Sequence, residues 1–258
     1  MNREELAKLP VWNSMSTITL SDMNDVKLMN RIDTKYLTNV GLLPVILQKS
    51  LDNYKVQIIN GSPVSSYDTI YFDTDSLDMY NCHHNKILFR KKIRMREYLD
   101  SSISFFEIKH KNNRGRVKKR RIEIPLQDFE MENLNSDAIT FVEGQTQYKG
   151  ASLVPQVHTI FDRITLVNNQ KTERLTIDLN LRFENSQTGN SVELPEIMII
   201  ELKQDGYKQS FMKELLRDLR VKPRSMSKYC LGTVLTNPNA KSNGFKKKLR
   251  FINKIKQP

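Results

Sequence analysis

Cysteine is scarce in this chain of 258 residues, which contains only Cys82 and Cys230. Two cysteines are too few for a disulfide framework or a zinc cage. With 9 glycines and 9 prolines, the chain is neither collagen-like nor of low complexity. No apolar run approaches the roughly 20 residues that span a bilayer, and residues 1–5 lack the apolar stretch of a signal peptide. We therefore expect a globular protein in the reducing cytoplasm.

Acidic residues are outnumbered, with 29 Asp and Glu against 41 Lys and Arg and a formal charge of +12. Residues 86–121 hold 14 basic and 3 acidic side chains, and residues 241–258 hold 7 basic and no acidic ones. This concentration predicts a polyanionic partner, which would be nucleic acid, acidic lipid or a phosphate-rich small molecule. The simpler alternative is a solvated charged surface.

Strand-like patterns dominate the chain. Helices are predicted over residues 20–26, 40–53, 128–141 and 210–219. Strands are predicted over residues 27–37, 54–59, 66–72, 86–98, 102–111, 116–124, 154–168, 174–184 and 196–203, with a hairpin turn at residues 112–115. Such a pattern with short connections favours an α+β fold around an antiparallel sheet, either open or closed into a barrel.

Charged side chains recur at every second position of several predicted strands, which places them on one face. The alternating sets are Arg31, Asp33 and Lys35; Arg90, Lys92, Arg94 and Arg96; Glu107, Lys109 and Lys111; Arg174, Thr176, Asp178, Asn180 and Arg182; Glu201 and Lys203. For any single strand, a sheet with one solvent-exposed face would explain this alternation. If the sheet closes, the charged face lines a lumen whose cations need phosphate as counter-charge, and the few carboxylates could hold a divalent metal.

Five short motifs then suggest a family. They are Arg31-Ile32-Asp33-Thr34-Lys35-Tyr36, Ile93-Arg94-Met95-Arg96, Phe106-Glu107-Ile108-Lys109, Glu201-Leu202-Lys203 and Ser227-Lys228-Tyr229. In this order they resemble the VTC domain, the catalytic module of polyphosphate polymerases among the triphosphate tunnel (CYTH-like) metalloenzymes. The resemblance implies a closed eight-stranded antiparallel β-tunnel lined with basic residues, with helices packed outside. It divides the chain into an N-terminal extension (1–19), the tunnel domain (20–236) and a basic C-terminal tail (237–258).

The resemblance also implies roles for individual residues. Catalysis would involve Lys35, Arg94, Arg96, Lys109 and Glu201. Phosphate or nucleotide would be bound by Arg31, Lys35, Arg94, Arg96, Lys109, Lys119, Arg121, Arg163, Arg174, Lys203 and Lys228. Mn²⁺ or Mg²⁺ would be bound by Glu201, with Asp33 and Asp178 as weaker candidates. Tunnel triphosphatases carry Glu-x-Glu-x-Lys on the first strand, and here Arg31 and Asp33 stand in place of the two glutamates, which favours holding a phosphate chain over hydrolysing it.

By resemblance, the protein is an ATP-dependent polyphosphate polymerase whose ligands are ATP and polyphosphate or triphosphate. A triphosphatase and a non-catalytic polyphosphate sensor remain alternatives. Nucleic-acid binding is disfavoured, because the bases follow strand alternation and no nucleic-acid-binding motif is present. The resemblance makes a membrane-protein partner plausible. The basic tail, which interleaves bases with apolar residues, could lie on an acidic membrane or remain disordered.

Overall fold

The computed structural model describes residues 1–25, 31–113, 116–206 and 208–256. The helices are α1 (Arg3–Ala7), α2 (Leu43–Lys49), α3 (Asp78–His84), α4 (Leu126–Glu130), α5 (Ser136–Gln145), α6 (Phe211–Asp218), α7 (Lys228–Thr236) and α8 (Lys246–Lys256). The strands are β1 (Thr17–Thr19), β2 (Arg31–Asn39), β3 (Tyr54–Ile58), β4 (Val64–Asp73), β5 (Arg90–Tyr98), β6 (Ile103–Lys111), β7 (Val117–Ile124), β8 (Val154–Asn168), β9 (Glu173–Asn185), β10 (Ser191–Leu194) and β11 (Ile197–Asp205). Parts of three predicted elements lie outside these ranges: residue 26 of the first helix, residues 27–30 of the first strand and residues 114–115 of the hairpin turn.

All the strands join one sheet whose continuous path runs β2-β11-β9-β8-β4-β5-β6-β7. Every step of this eight-stranded path is antiparallel, which confirms the predicted α+β class. The short strands β1, β3 and β10 attach beside the path, and β1 and β10 were not predicted. Among the described residues no ladder joins β2 to β7, so the predicted closure of the tunnel by hydrogen bonds is not confirmed.

One face of the sheet is apolar and carries helices, as predicted. Ile93 on β5 and Phe106 on β6 are fully buried beneath Phe129 of α4 and Val142 of α5. At the other half of the path, the outward side chains of β8, β9 and β11 pack against α2 and α6. Burial of each large apolar side chain contributes about 1.5–3 kcal/mol, so the helices hold this outer face in place.

A β-bulge changes which side chains of β9 face inward. Asn180 has a left-handed φ of 49°, and the register between β8 and β9 shifts beside it. Asparagine tolerates this conformation, and its Nδ2 donates to Asp162 Oδ2 at 2.8 Å. After the bulge, Leu181 and Phe183 join the apolar cluster on the opposite side of the sheet from Leu175, Ile177 and Leu179. The predicted continuous polar face from Arg174 to Arg182 is therefore wrong beyond Asn180, because one extra residue reverses the alternation.

Helix α7 lies on the charged side of the sheet, unlike α2, α4, α5 and α6. Tyr229 and Cys230 are buried in the cluster that Phe183 and Leu37 form on that side. The Tyr229 hydroxyl donates to Asp73, whose carboxylate also accepts the backbone N–H groups that begin α3. The expectation that all helices pack outside thus fails for α7, because the bulge gives it an apolar seat.

The segment just before α7 shows that the sheet is strongly curled. Lys35 Nζ on β2 donates to Met226 O at 3.4 Å, and Lys92 Nζ on β5 donates to Ser227 Oγ at 2.7 Å. These strands are five places apart in the path, which in a flat sheet is about 24 Å. Two adjacent residues can meet both strands only if the sheet wraps around them.

The basic tail is helical and packed onto the domain. Phe245 and Ile252 are buried in the same cluster as α7, and Asn39 Nδ2 on β2 donates to Ile255 O at 2.7 Å. The interleaved apolar residues that suggested a membrane-bound or disordered tail are therefore in contact with the domain. Among the described residues, no helix combines the length and apolarity needed to cross a membrane.

Of two further helices, one was predicted from the sequence and one was not. Helix α6 was predicted, and its cap is Ser210, whose side chain accepts from Lys213 N. Helix α3 was not predicted, because its stretch lacks a clear apolar period and begins at Leu77 with a left-handed φ of 59°. The predicted strand 86–98 accordingly starts later, at Arg90.

The seat of α7 predicts a sharp difference between two glycines. A Cβ on Gly232 of α7 would lie 2.6 Å from Val157 Cγ1 and 2.7 Å from Phe183 Cδ1, whereas a Cβ on Gly144 of α5 meets nothing within 4 Å. We expect Gly232→Ala to lower the free energy of unfolding by about 1–3 kcal/mol, because the overpacked side chains must shift. Urea denaturation would measure the change.

Gly144→Ala is the matched control and should cause no loss, since alanine favours the helix more than glycine does. Equal stability of the two variants would contradict the packing of α7 against β8 and β9.

Candidate functional site

The curled sheet gathers charges of both signs on one side, which we call the inner face. Its cations come from seven strands and α7: Arg31, Lys35, Lys92, Arg94, Arg96, Lys109, Lys119, Arg121, Arg163, Arg174, Lys203 and Lys228. The carboxylates among them are Asp33, Glu107, Asp178 and Glu201. Among the described residues, cations clearly outnumber carboxylates on this face, even when Glu123 and Asp205, which share its strand alternation, are counted.

Glu107 on β6 is the anchor of the first charge cluster. Its carboxylate accepts from Arg94 Nε at 2.7 Å and from Lys119 Nζ at 2.8 Å. Burial would raise the pKa of Glu107, but Arg94, Arg96 and Lys119 outweigh burial and hold that pKa well below its usual range. Arg94 also donates to the Tyr71 hydroxyl at 3.3 Å. The cluster therefore orients Arg94 and keeps both partners charged.

Asp178 on β9 anchors the second cluster. Arg163 grips it with two bonds, Nε to Oδ1 at 2.6 Å and Nη2 to Oδ2 at 3.0 Å, and Lys228 Nζ also donates to Oδ2. Burial would raise the pKa of Asp178, yet Arg163 and Lys228 hold it well below its usual range. Paired in this way, a carboxylate that is 2 % exposed stays ionised and fixes the orientation of two cations.

Glu201 on β11 forms the third cluster. Lys203 Nζ lies 2.8 Å from one of its oxygens and Lys35 Nζ lies 3.7 Å from the other. Burial would raise the pKa of Glu201, but Lys35 and Lys203 keep it well below its usual range. On the neighbouring strand β2, Asp33 is paired with Arg31 at 2.8 Å.

The remaining inner-face cations include groups with no carboxylate partner within ion-pair distance. Arg96 donates Nε to the Thr69 hydroxyl at 2.9 Å and lies over the Tyr67 ring. Burial, with Arg94 and Arg163 nearby, lowers the pKa of Arg96 to about 10. The pKa of Lys109 is lowered well below its usual range by Arg94, by burial and by Arg96. These cations repel one another, and Glu107 and Glu201 offset that repulsion only in part.

Two adjacent inward positions of β9 also hold buried polar atoms without a partner. They are Arg174 Nε and Thr176 Oγ1. Such orphaned donors are costly unless a ligand or water satisfies them. A guanidinium and a hydroxyl beside a cation surplus fit an anion with several acceptor oxygens, which is the chemistry of linked phosphates.

The carboxylates fit a divalent metal only in part. Among the described residues no group of three or more His, Cys, Asp or Glu side chains could hold an ion by itself. Both oxygens of Asp178 already accept charged hydrogen bonds. Glu201 and Asp33 lie diagonally across the β2–β11 ladder. Asp33 is paired with Arg31 alone, and one of the two lysines at Glu201 is 3.7 Å away. This donor set suits an Mg²⁺ or Mn²⁺ ion that takes most of its ligands from phosphate.

The structure thus brings every phosphate-binding residue predicted from the sequence to the inner face. Both predicted residues on β7 lie there, since Lys119 contacts Glu107 and the Arg121 guanidinium lies 4.0 Å from the Phe105 ring centroid. Three contributors were missed as site residues: Lys92, Ser227 and Glu107 in its pairing role. Strand alternation with Arg94 and Lys109 was the signal that could have added Lys92 and Glu107.

Comparison with known proteins agrees with this architecture. A putative adenylate cyclase from Bacillus halodurans superposes with a TM-score of 0.51 at 16% identity, covering 77% of this chain and 96% of that one, and so has a similar fold. A putative adenylyl cyclase from Hippeastrum, described as having a dominant triphosphatase activity, superposes with a TM-score of 0.47 at 14% identity, covering 80% and 96%. No curated protein matches the sequence.

The sequence itself provides the stronger comparison. Residues 30–237 match the VTC domain, and this range includes all the inner-face charges described above. The motifs that suggested the family from the sequence thus lie within a match that covers most of the chain. The chain belongs to the VTC domain family.

Proposed function

We propose that this protein is a polyphosphate polymerase, which transfers the γ-phosphate of ATP to a growing polyphosphate chain held along the inner face. The observation that supports this most is the surplus of inner-face cations, of which Arg94, Arg96 and Lys203 are buried, together with the orphaned donors of Arg174 and Thr176. Uncompensated like charges in a low-dielectric site are costly, and an extended polyanion relieves that cost. In this proposal the curled sheet wraps around the phosphate chain as a tunnel would.

Chemically, a terminal oxygen of the growing chain attacks the γ-phosphorus of ATP. A new P–O–P bond forms, the bond from the γ-phosphorus to the β–γ bridging oxygen breaks, and ADP leaves with that oxygen. No protein nucleophile is required, because the attacking group belongs to the substrate. Catalysis of such a transfer rests mainly on positioning and on charge neutralisation.

In this proposal, particular residues of the three clusters position the phosphate groups. Arg94 and Arg163 are fixed by Glu107 and Asp178, so their remaining N–H groups are held ready for phosphate oxygens. Arg96, Lys109 and Arg174 have no carboxylate partner and supply the net charge that neutralises the transferred group. A divalent ion at Glu201 and Asp33 would further neutralise charge on the phosphate oxygens.

The polymerase proposal is tested by incubating the purified full chain with ATP and Mn²⁺. We expect ADP to accumulate together with phosphate polymers that gel electrophoresis resolves. ADP with only free phosphate would show a triphosphatase instead, and tight polyphosphate binding without turnover under Mn²⁺ or Mg²⁺ would show a sensor. Either of these results would reject polymerisation.

Arg174→Gln tests the site without orphaning a carboxylate, because among the described residues Arg174 makes no ion pair and its Nε has no hydrogen-bond partner. We expect inorganic triphosphate to bind at least about 10-fold more weakly, since a charge-assisted hydrogen bond is lost. Arg182→Gln is the matched control on the same strand, where the bulge turns an exposed Arg182 toward Glu184. Calorimetric titration measures both variants, and equal affinities would contradict the site.

Lys109 predicts a pH dependence of binding. Its pKa in the free protein is well below the usual value, and a bound phosphate chain would raise it again. Above the lowered pKa of Lys109 binding therefore takes up a proton, and affinity for triphosphate falls as pH rises from that lowered pKa toward the ordinary lysine pKa of about 10.4.

Lys109→Arg keeps the positive charge across this range, so it should reduce the proton uptake by up to one proton while retaining tight binding. Titrations in two buffers of different ionisation enthalpy measure the uptake. An unchanged proton count in the variant would show that Lys109 does not contact the anion.

The pairing of Arg31 with Asp33 leads to a prediction about the balance between phosphate transfer and triphosphate hydrolysis. Its guanidinium is paired with Asp33, which restrains one of the two candidate metal ligands. We expect Arg31→Glu to raise Mn²⁺-dependent hydrolysis of triphosphate, because it frees Asp33 and adds a second carboxylate beside it. Arg31→Gln frees Asp33 alone and should raise hydrolysis less. If phosphate release is the same in both variants and the wild type, the carboxylate count does not control the outcome.

A further inference from the structure

An exposed apolar cluster lies at one end of the sheet, outside the inner face. Three consecutive residues in the loop from α3 to β5 are unusually exposed: Ile87 by 45%, Leu88 by 55% and Phe89 by 56%. Val117, the first residue of β7, is 46% exposed. We call these four residues the apolar tip. Single exposed apolar residues are common, but three consecutive large ones indicate a contact surface.

The register of the sheet places the tip residues together. Arg90, which follows Phe89, pairs with Lys111 on β6, and Lys111 pairs with Val117 on β7. The Phe89 ring also packs edge-on against His110, with ring centroids 4.4 Å apart. The loop and the start of β7 therefore lie at the same end of the sheet, with Phe89 on the side of His110 and Val117 on the side of Lys111.

Basic residues surround the apolar tip. They are Lys86, Arg90, Lys91, Lys111, Arg116 and Lys118. Residues 82–96, 108–113 and 116–122 contain no Asp or Glu. The segment that leads into α8 lies at the same end, since Gly244 N donates to His84 Nε2 at 3.1 Å, and burial, Lys92, Arg90 and Lys248 of α8 together lower the pKa of His83. The nearby acid is Asp78 of α3, so the local charge is strongly positive.

We propose that the apolar tip inserts into the surface of a bilayer that contains acidic lipids. Large apolar side chains ringed by Lys and Arg match the boundary between acyl chains and anionic headgroups. The aliphatic stems of the basic residues can lie along the apolar region while their charges reach the headgroups. The tip projects from a loop and a strand end, which suits insertion into a bilayer better than capture of an acidic peptide in a groove.

Helix α8 does not compete for this role, because Phe245 and Ile252 are buried and the Arg224 guanidinium lies 3.8 Å from the Phe251 ring centroid. The tip lies at the α7 end of the inner face, since Lys92, two residues after Arg90, contacts Ser227. Docking there leaves the opposite end of the inner face open to solvent. This inference does not depend on the proposed function.

Vesicle sedimentation of the full chain tests the inference. We expect binding to vesicles of phosphatidylcholine with about 30% phosphatidylglycerol, weaker binding as salt rises, and little binding to phosphatidylcholine alone. Leu88→Ser with Phe89→Ser should weaken binding at least about 10-fold, because the variant lacks the two large apolar side chains that would insert into the bilayer. The double variant Leu20→Ser with Met131→Ser removes side chains that are 60% and 64% exposed elsewhere, and it should bind like the wild type.

Added inorganic triphosphate distinguishes vesicle binding by the apolar tip from vesicle binding by the cations of the inner face. If the tip is responsible, triphosphate should leave wild-type vesicle binding largely unchanged. Phe89→Trp should show a blue shift of its emission with acidic vesicles. The proposal would be overturned if the variant with Leu88→Ser and Phe89→Ser bound vesicles as tightly as the wild type, because the basic surface alone would then explain the attraction to the vesicles. Absence of vesicle binding, with tip-dependent binding of polyglutamate, would overturn it in favour of an acidic peptide partner.

Discussion

The structure depends on how buried cations of like charge are kept close together. Glu107, Asp178 and Glu201 each hold two cations, and each carboxyl has a pKa well below its usual range because those cations outweigh burial. Breaking such a buried pair would leave an uncompensated charge, so Glu107 and Asp178, whose oxygens are all occupied, serve as fixed anchors rather than spare metal ligands. These carboxylates do not fully offset the positive charge of Arg96, Lys109 and Arg174. That remaining charge favours the binding of an external polyanion. The same balance therefore explains both the folded inner face and its proposed substrate.

A single extra residue on β9 divides the inner face into a charged part and an apolar part. Before Asn180, Thr176 and Asp178 face inward, and after it Leu181 and Phe183 do. The apolar part seats α7, and the start of α7 in turn places Ser227 and Lys228 among the charges. The helix is thus both a packing element and a contributor to the site. In the proposed polymerase, the phosphate chain occupies the charged part, because the apolar part is already filled.

Much of the sheet could be predicted from the sequence because strand alternation is a local property. The strands from β4 to β9 and β11 were found to within a few residues, and the cations chosen by alternation and by family resemblance meet on one face. Helix α7 was not predicted, since its residues are buried on several sides and show no amphipathic period. The packing of α8 was also missed, because a basic, weakly patterned segment reveals its buried positions Phe245 and Ile252 only once a partner surface exists.

The sequence by itself determined the composition of the inner face: which strands carry cations, where the few carboxylates fall between them, and that the family is that of the VTC domain. Periodicity of two and short motifs are enough for that, because both are written in neighbouring residues. Only the tertiary structure decided which carboxylate binds which cation, where alternation reverses at Asn180, and that β2 and β5 approach each other through Met226 and Ser227. These features arise from contacts between residues far apart in the chain, and no local pattern encodes the curl of a sheet.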